Sequence, residues 1–130
     1  MHEWVDHTGE LELHVREMTR EGVFAEASVA LGGVLGDIDR GPPVERVLRV
    51  EASDLVALLA DWLMELVWLA EHESLIVERL AAVHVGETAV DATVAARRGR
   101  PRPLVKAVTY HGLSCERDAE GWRATVVLDV

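Results

Sequence analysis

Cysteine is almost missing from this chain: Cys115 stands alone among 130 residues. That excludes an internal disulfide and any zinc site built on four thiolates, and it suits a reducing compartment. Positive charge is scarce as well. Thirteen Lys and Arg stand against 23 Asp and Glu, a formal net charge of -10, so the chain as a whole repels phosphate backbones and no stable nucleic-acid binding is expected. Long apolar runs are missing too, because the greasiest stretch, Leu55 to Ala70, is broken by Asp61 and Glu65 and cannot span a bilayer. Acids occupy the segment from Met1 to His7, where a signal peptide would carry positive charge. The expectation is a cytoplasmic protein without membrane association. Self-sufficient catalytic motifs are absent: there is no Gly-rich phosphate loop, no G-x-S-x-G elbow and no H-E-x-x-H helix.

What is present describes one folded unit. An apolar fraction of 49% with 28% charged residues argues against disorder, and the length suits a single domain, residues 1–130. The run Glu10-Leu11-Glu12-Leu13-His14-Val15-Arg16 alternates with the period of a half-buried strand. Thr19 offers a helix cap and Glu21 puts negative charge in the first turn. The helix that follows carries Phe24, Ala27, Leu31, Val34 and Leu35 on one stripe. Gly32 and Gly33 inside it point to close backbone approach or an early helix end. Asp37 to Pro43 reads as a loop.

Val44 to Val50 reads as a second strand, and Ser53-Asp54 opens the longest helix, running to about Glu73. One side of it carries Leu55, Leu59, Trp62, Leu63, Leu66 and Ala70; Asp54, Asp61, Glu65, Trp68 and His72 form the opposite stripe. Trp68 among acids is either a partner contact or a residue covered by a neighbouring strand, and the strand is the expectation. Leu75–Val85, Val90–Ala95, Leu104–Glu116 and Trp122–Val130 read as strands. Arg97–Arg102 reads as a solvated basic hairpin loop, and Asp118–Gly121 as a surface turn. The expected fold is α+β, a two-layer sandwich of two helices packed on a largely antiparallel sheet.

The chemistry-bearing residues sit at element ends. Asp6, His7 and Glu10 lie near the start, Asp37 and Asp39 follow the first helix, His111 lies within a late strand, and Asp129-Val130 closes the chain. Carboxylates from separate segments suit a hard divalent cation if the fold gathers them. Solvated acids at a frayed end are the bland alternative. His7 and His111 are expected to be hydrogen-bonded structural histidines, and Cys115 a small buried hydrophobe.

These segments are also where the chain resembles the archease family. Trp4-Val5-Asp6-His7-Thr8-Gly9-Glu10 is similar to the family's amino-terminal Asp/Glu-His-Thr-Ala-Asp. Asp61-Trp62-Leu63-Met64-Glu65-Leu66-Val67 is similar to its Asn-Trp-Leu-Asn-Glu-Leu-Leu helix. Val105 to Leu113, Gly121 to Ala124 and Val127 to Val130 complete the pattern. The resemblance implies a non-enzymatic activator of an RtcB-type RNA ligase, promoting its guanylylation and multiple turnover in tRNA splicing or RNA repair. It also implies a divalent cation, calcium, held by Glu10, Asp129 and Val130. Beside it stands the physical expectation of one acidic tip formed by Asp6, Glu10, Asp37, Asp39 and Asp129, with His7 and His111 as further partner contacts. Two departures stand out. Gly9-Glu10 replaces Ala-Asp, moving the carboxylate one methylene out, and Gly22 stands where a capping box would have Glu. The competing readings are a chaperone-like modulator of a tRNA cytosine methyltransferase, and a small metal-dependent hydrolase using Asp6, His7 and His111.

Overall fold

Leu11, Leu13 and Val15 recur at every second position, so one face of their strand goes to the core while Glu10, Glu12 and His14 face outward. The computed structural model, which describes residues 1–130, begins with this pattern. Strand β1 (His2–His7) and β2 (Glu10–Glu17) form an antiparallel hairpin. Helix α1 (Arg20–Leu35) follows, then the short β3 (Gly36–Ile38) and β4 (Val44–Glu51). Helix α2 (Leu55–Glu73) leads into β5 (Leu75–Val85), β6 (Ala89–Pro101), β7 (Ala107–Asp118) and β8 (Gly121–Asp129).

All strand pairs are antiparallel. They form two four-stranded sheets where the sequence suggested one. The first has the order β1-β2-β8-β7; in the second, β6 pairs with β3, β4 and β5. Both helices contact strands of both sheets, and each other. The architecture is therefore two helices packed on antiparallel sheets, an α+β fold.

The helix starts follow from local chemistry. Thr19 Oγ1 accepts the Gly22 N–H at 2.9 Å, and Asp54 Oδ1 accepts the Ala57 N–H at 2.8 Å, each cap contributing about 1 kcal/mol. Glu21 does more than complement the helix dipole. Its carboxylate accepts the Val85 N–H at 3.1 Å, tying the start of α1 to the end of β5. Between the helices, Trp62 Nε1–H donates to Ser28 Oγ at 2.9 Å, and the Ser28 hydroxyl donates to Phe24 O at 2.6 Å. Ser28 is the one buried polar side chain, and no buried side-chain polar atom lacks a partner, as a low-dielectric interior requires.

Two of the expected loops are strand. Asp37 and Ile38 belong to β3, and Arg97 to Pro101 to β6. The reason is pairing: Gly36, Asp37 and Ile38 stand opposite Pro101, Arg100 and Gly99, while β5 pairs with Arg97 and Arg98. Arg97 Nε also pairs with Glu78 at 2.6 Å, and Arg102 with Asp37. A stretch of glycine, proline and arginine that looks like a loop is thus held by backbone bonds to distant segments.

The consecutive glycines of α1 divide in role. A Cβ on Gly32 would lie 2.2 Å from the Val77 carbonyl oxygen of β5, whereas one on Gly33 meets nothing within 4 Å. Gly32 lets the helix backbone lie directly on β5; Gly33 does not serve that contact. Gly32→Ala should lower stability by about 1–3 kcal/mol through forced displacement. Gly33→Ala should be neutral or gain up to about 1 kcal/mol from helix propensity. Thermal and urea unfolding of the two variants checks both signs.

Candidate functional site

The hairpin between β1 and β2 turns on Thr8 and Gly9, with Gly9 at φ 76, a left-handed conformation that glycine adopts freely. A two-residue turn fixes register, so His7 stands opposite Glu10. In β8, Asp129 stands opposite Glu10, and in β7 Ala107 stands opposite Asp129. One row across the first sheet therefore reads His7, Glu10, Asp129, Ala107. Cross-strand partners project to the same face with Cβ atoms within about 5.5 Å, so the two carboxylates are direct neighbours.

The end of β8 is held on both flanks. Lys106 N–H donates to Asp129 O at 2.7 Å, and Val130 N–H donates to Gly9 O at 3.1 Å. Those bonds put the main chain of Val130 beside the Thr8-Gly9 turn. Glu10 and Val130 are half-buried and Asp129 is exposed. Lys106 and Ala107 had not been singled out from sequence. Their signal was the late strand itself, which had to flank the terminal one.

The other candidates lie elsewhere. Asp6 stands opposite Leu11, and period-two alternation sends its side chain to the face opposite His7 and Glu10. Asp37 and Asp39 belong to the second sheet and its following loop; Asp37 is paired with Arg102, and the Asp39 N–H bonds Arg98 O at 2.8 Å. His111 is exposed in the irregular stretch of β7 between Thr109 and Ser114. No three His, Cys, Asp or Glu side chains converge on a point, so the five acids do not form one tip. His7 Nε2 is 3.8 Å from Glu12 Oε1, too far for a hydrogen bond. The closely bonded histidines are instead His14, 2.7 Å from Glu12, and His2, 2.6 Å from Glu26.

The donor set at the row is chemically suited to a hard cation. Two side-chain carboxylates on one face, with the main chain of Val130 held at Gly9, are of the oxygen-donor type calcium takes, the remaining positions being filled by carbonyls or water.

Residues 2–130 match the Archease protein family (MTH1598/TM1083). This chain belongs to the archease family. The protein archease of Methanosarcina barkeri is 30% identical over 139 residues, spanning 99% of this chain and 95% of its own. That of Methanopyrus kandleri is 31% identical over 137 residues, spanning 98% of each. Among solved structures, Methanobacterium thermoautotrophicum protein 1598 matches with TM-score 0.70 at 25% identity, covering 99% of this chain and 98% of that one. A Thermotoga maritima archease, described as a possible chaperone, has the same fold with TM-score 0.68 at 19% identity, covering 100% and 98%. No helix of this archease-family chain is long and apolar enough to cross a membrane.

The expectation that a strand covers Trp68 fails, because the side chain is 47% exposed. Strand β7 reaches α2 earlier, where Val108 N–H meets Met64 Sδ at 3.2 Å and Tyr110 Oη–H donates to Asp61 Oδ1 at 2.7 Å. That bond, ahead of burial and the nearby charges, raises the phenol's pKa. Cys115 is 7% exposed, and burial pushes its thiol from 9.0 up to about 11, against a lowering by Arg20.

A thiol kept neutral by burial is a poor nucleophile. Cys115 should resist iodoacetamide at neutral pH in the native protein and react fully in urea. A folded pKa above the unfolded one means the unfolded chain loses its proton first. Stability should therefore fall by on the order of 2 kcal/mol as pH rises from about 9 to about 11, and Cys115→Ala should flatten that slope.

Proposed function

We propose that this archease-family chain is a non-enzymatic activator of an RtcB-type RNA ligase, promoting guanylylation of the ligase and its multiple turnover in tRNA splicing or RNA repair. One observation carries the reading. Within a chain of this family, Glu10 and Asp129 are cross-strand neighbours at the end of the first sheet, with Val130 tied to Gly9.

Glu10 and Asp129 supply the negative charge, and the main chain of Val130 supplies a further oxygen. A divalent cation, calcium in the first instance, would be held there, and it supplies positive charge where two carboxylates otherwise repel. The bonds from Lys106 and Gly9 fix the direction in which Asp129 presents its carboxylate. An activator acts on its ligase only by binding one state more tightly than another, and the gain is limited to that difference in affinity. Presenting charged oxygens at a rigid sheet end favours the ligase arrangement that accepts guanylate. Glu10, with its extra methylene, reaches further than Asp would and can bind in bidentate fashion.

RNA joining with the cognate ligase, GTP and manganese tests this. Stimulation should appear under substrate excess and not under ligase excess, with faster guanylylation. Asp129→Ala should remove it, a loss of about 5–150-fold for a coupling of ordinary size, with the melting temperature unchanged. Unchanged stimulation by Asp129→Ala would refute the site. No stimulation by the wild-type chain would refute the ligase reading and favour an RNA methyltransferase as partner.

A further inference from the structure

The exposed aromatic face of α2 has no role in the reading above, and its chemistry is different from that of the sheet end. Trp68 is 47% exposed, the one exposed tryptophan of the four. It is also held in place. Its ring stacks on His72 with centroids 4.8 Å apart and planes 15° from parallel, and His72 Nδ1 lies 3.1 Å from Trp68 O. An ordered, exposed aromatic loses little freedom on binding.

Beside it lies a hollow of about 350 Å³ lined by Asp61, Met64, Glu65, Trp68, Glu71 and Lys106, among others. Helical spacing aligns Asp61, Glu65, Trp68 and His72 along one stripe. Asp61 is engaged by Tyr110, itself 62% exposed. Glu65 and Glu71 take part in none of the molecule's ion pairs, which elsewhere engage acids such as Glu73, Glu78, Asp91 and Asp118. The hollow is therefore lined by three acidic residues and one basic one, Lys106, beside a stacked indole.

We propose that this hollow docks an arginine-bearing basic segment of a protein partner. The indole face attracts a cation electrostatically, and Glu65 and Glu71 offer carboxylates to the planar guanidinium fork, which suits arginine better than lysine. The same carboxylates and the net charge of -10 repel nucleic acid and anionic lipid. The indole and the carboxylates of this surface stand on α2, and only Lys106 is shared with the flank of the Glu10–Asp129 row; Trp68, Glu65 and Glu71 have no part in the ligase reading, so variants of them test the proposal independently of it.

The test uses the full chain and a fluorescein-labelled peptide alternating Arg and Ser, read by anisotropy at physiological salt, with a Glu-for-Arg peptide as control. The wild-type chain should bind the first and not the second. Trp68→Ala and the pair Glu65→Gln/Glu71→Gln should each weaken binding about tenfold or more, and Trp68→Phe should retain much of it. The pair Glu87→Gln/Glu116→Gln removes equal charge from exposed acids elsewhere and should stay within about twofold. Equal losses from both charge pairs would reduce the effect to net charge and overturn the proposal, as would full binding by Trp68→Ala. Trp68-dependent self-association in sedimentation would overturn it in favour of a second copy, whose Arg98 and Arg100 are exposed. Trp68-dependent binding of RNA or anionic vesicles would overturn it too.

Discussion

The pairing of β2 with β8 is the contact on which the rest of the molecule depends. It joins Glu10–Glu17 to Trp122–Asp129, segments near opposite ends of the chain, and so closes a loop that spans most of the sequence. Leu13 and Val15 on one strand and Ala124, Val126 and Leu128 on the other are buried on the same side. A one-residue slip of β2 against β8 would turn one strand's buried set to the opposite face and part Glu10 from Asp129. The hydrophobic core therefore sets the register, and the register sets the carboxylate pair. A carboxylate pair assembled in this way needs no dedicated loop. It is placed by the burial of its alternate neighbours.

Local chemistry was readable in the sequence because its partners are close in the chain. Thr19 and Asp54 cap their helices as their positions suggest, and alternation marks β2 from Glu10 onward. Non-local pairing was not readable. Nothing near Arg97–Arg102 reveals that Gly36–Ile38 and Leu75–Ile76 will pair with it, and glycine with proline argues for a loop until those partners are known. The division into two sheets has the same origin, since it depends on which distant strands β6 accepts.

The acidic candidates show the same boundary. Glu10, Asp129 and Val130 come together, whereas Asp6 and Asp37 do not join them. For Asp6 the information was present: a two-residue turn at Thr8-Gly9 pairs residue 7 with 10 and residue 6 with 11, which separates Asp6 from Glu10 by one face. For Asp37 it was not, because the ion pair with Arg102 spans two segments far apart in sequence. Trp68 was misplaced for a geometric reason. Strand β7 meets α2 at Asp61 and Met64 and leaves the later turns of the helix uncovered. An excess of acid thus appears in two settings, paired across strands at a sheet end and gathered around an aromatic ring on a helix. The first suits a small hard cation and the second a large soft one.

The central claim is that β-sheet register builds one oxygen site from Glu10, Asp129 and Val130. Calcium titration followed by amide nitrogen–proton spectra of the whole chain tests it most directly. The account predicts saturable shifts concentrated at His7 to Glu10, Lys106 to Ala107 and Leu128 to Val130, and their loss in Asp129→Ala. Shifts centred on Asp37 and Asp39, or none at saturating calcium, would contradict it.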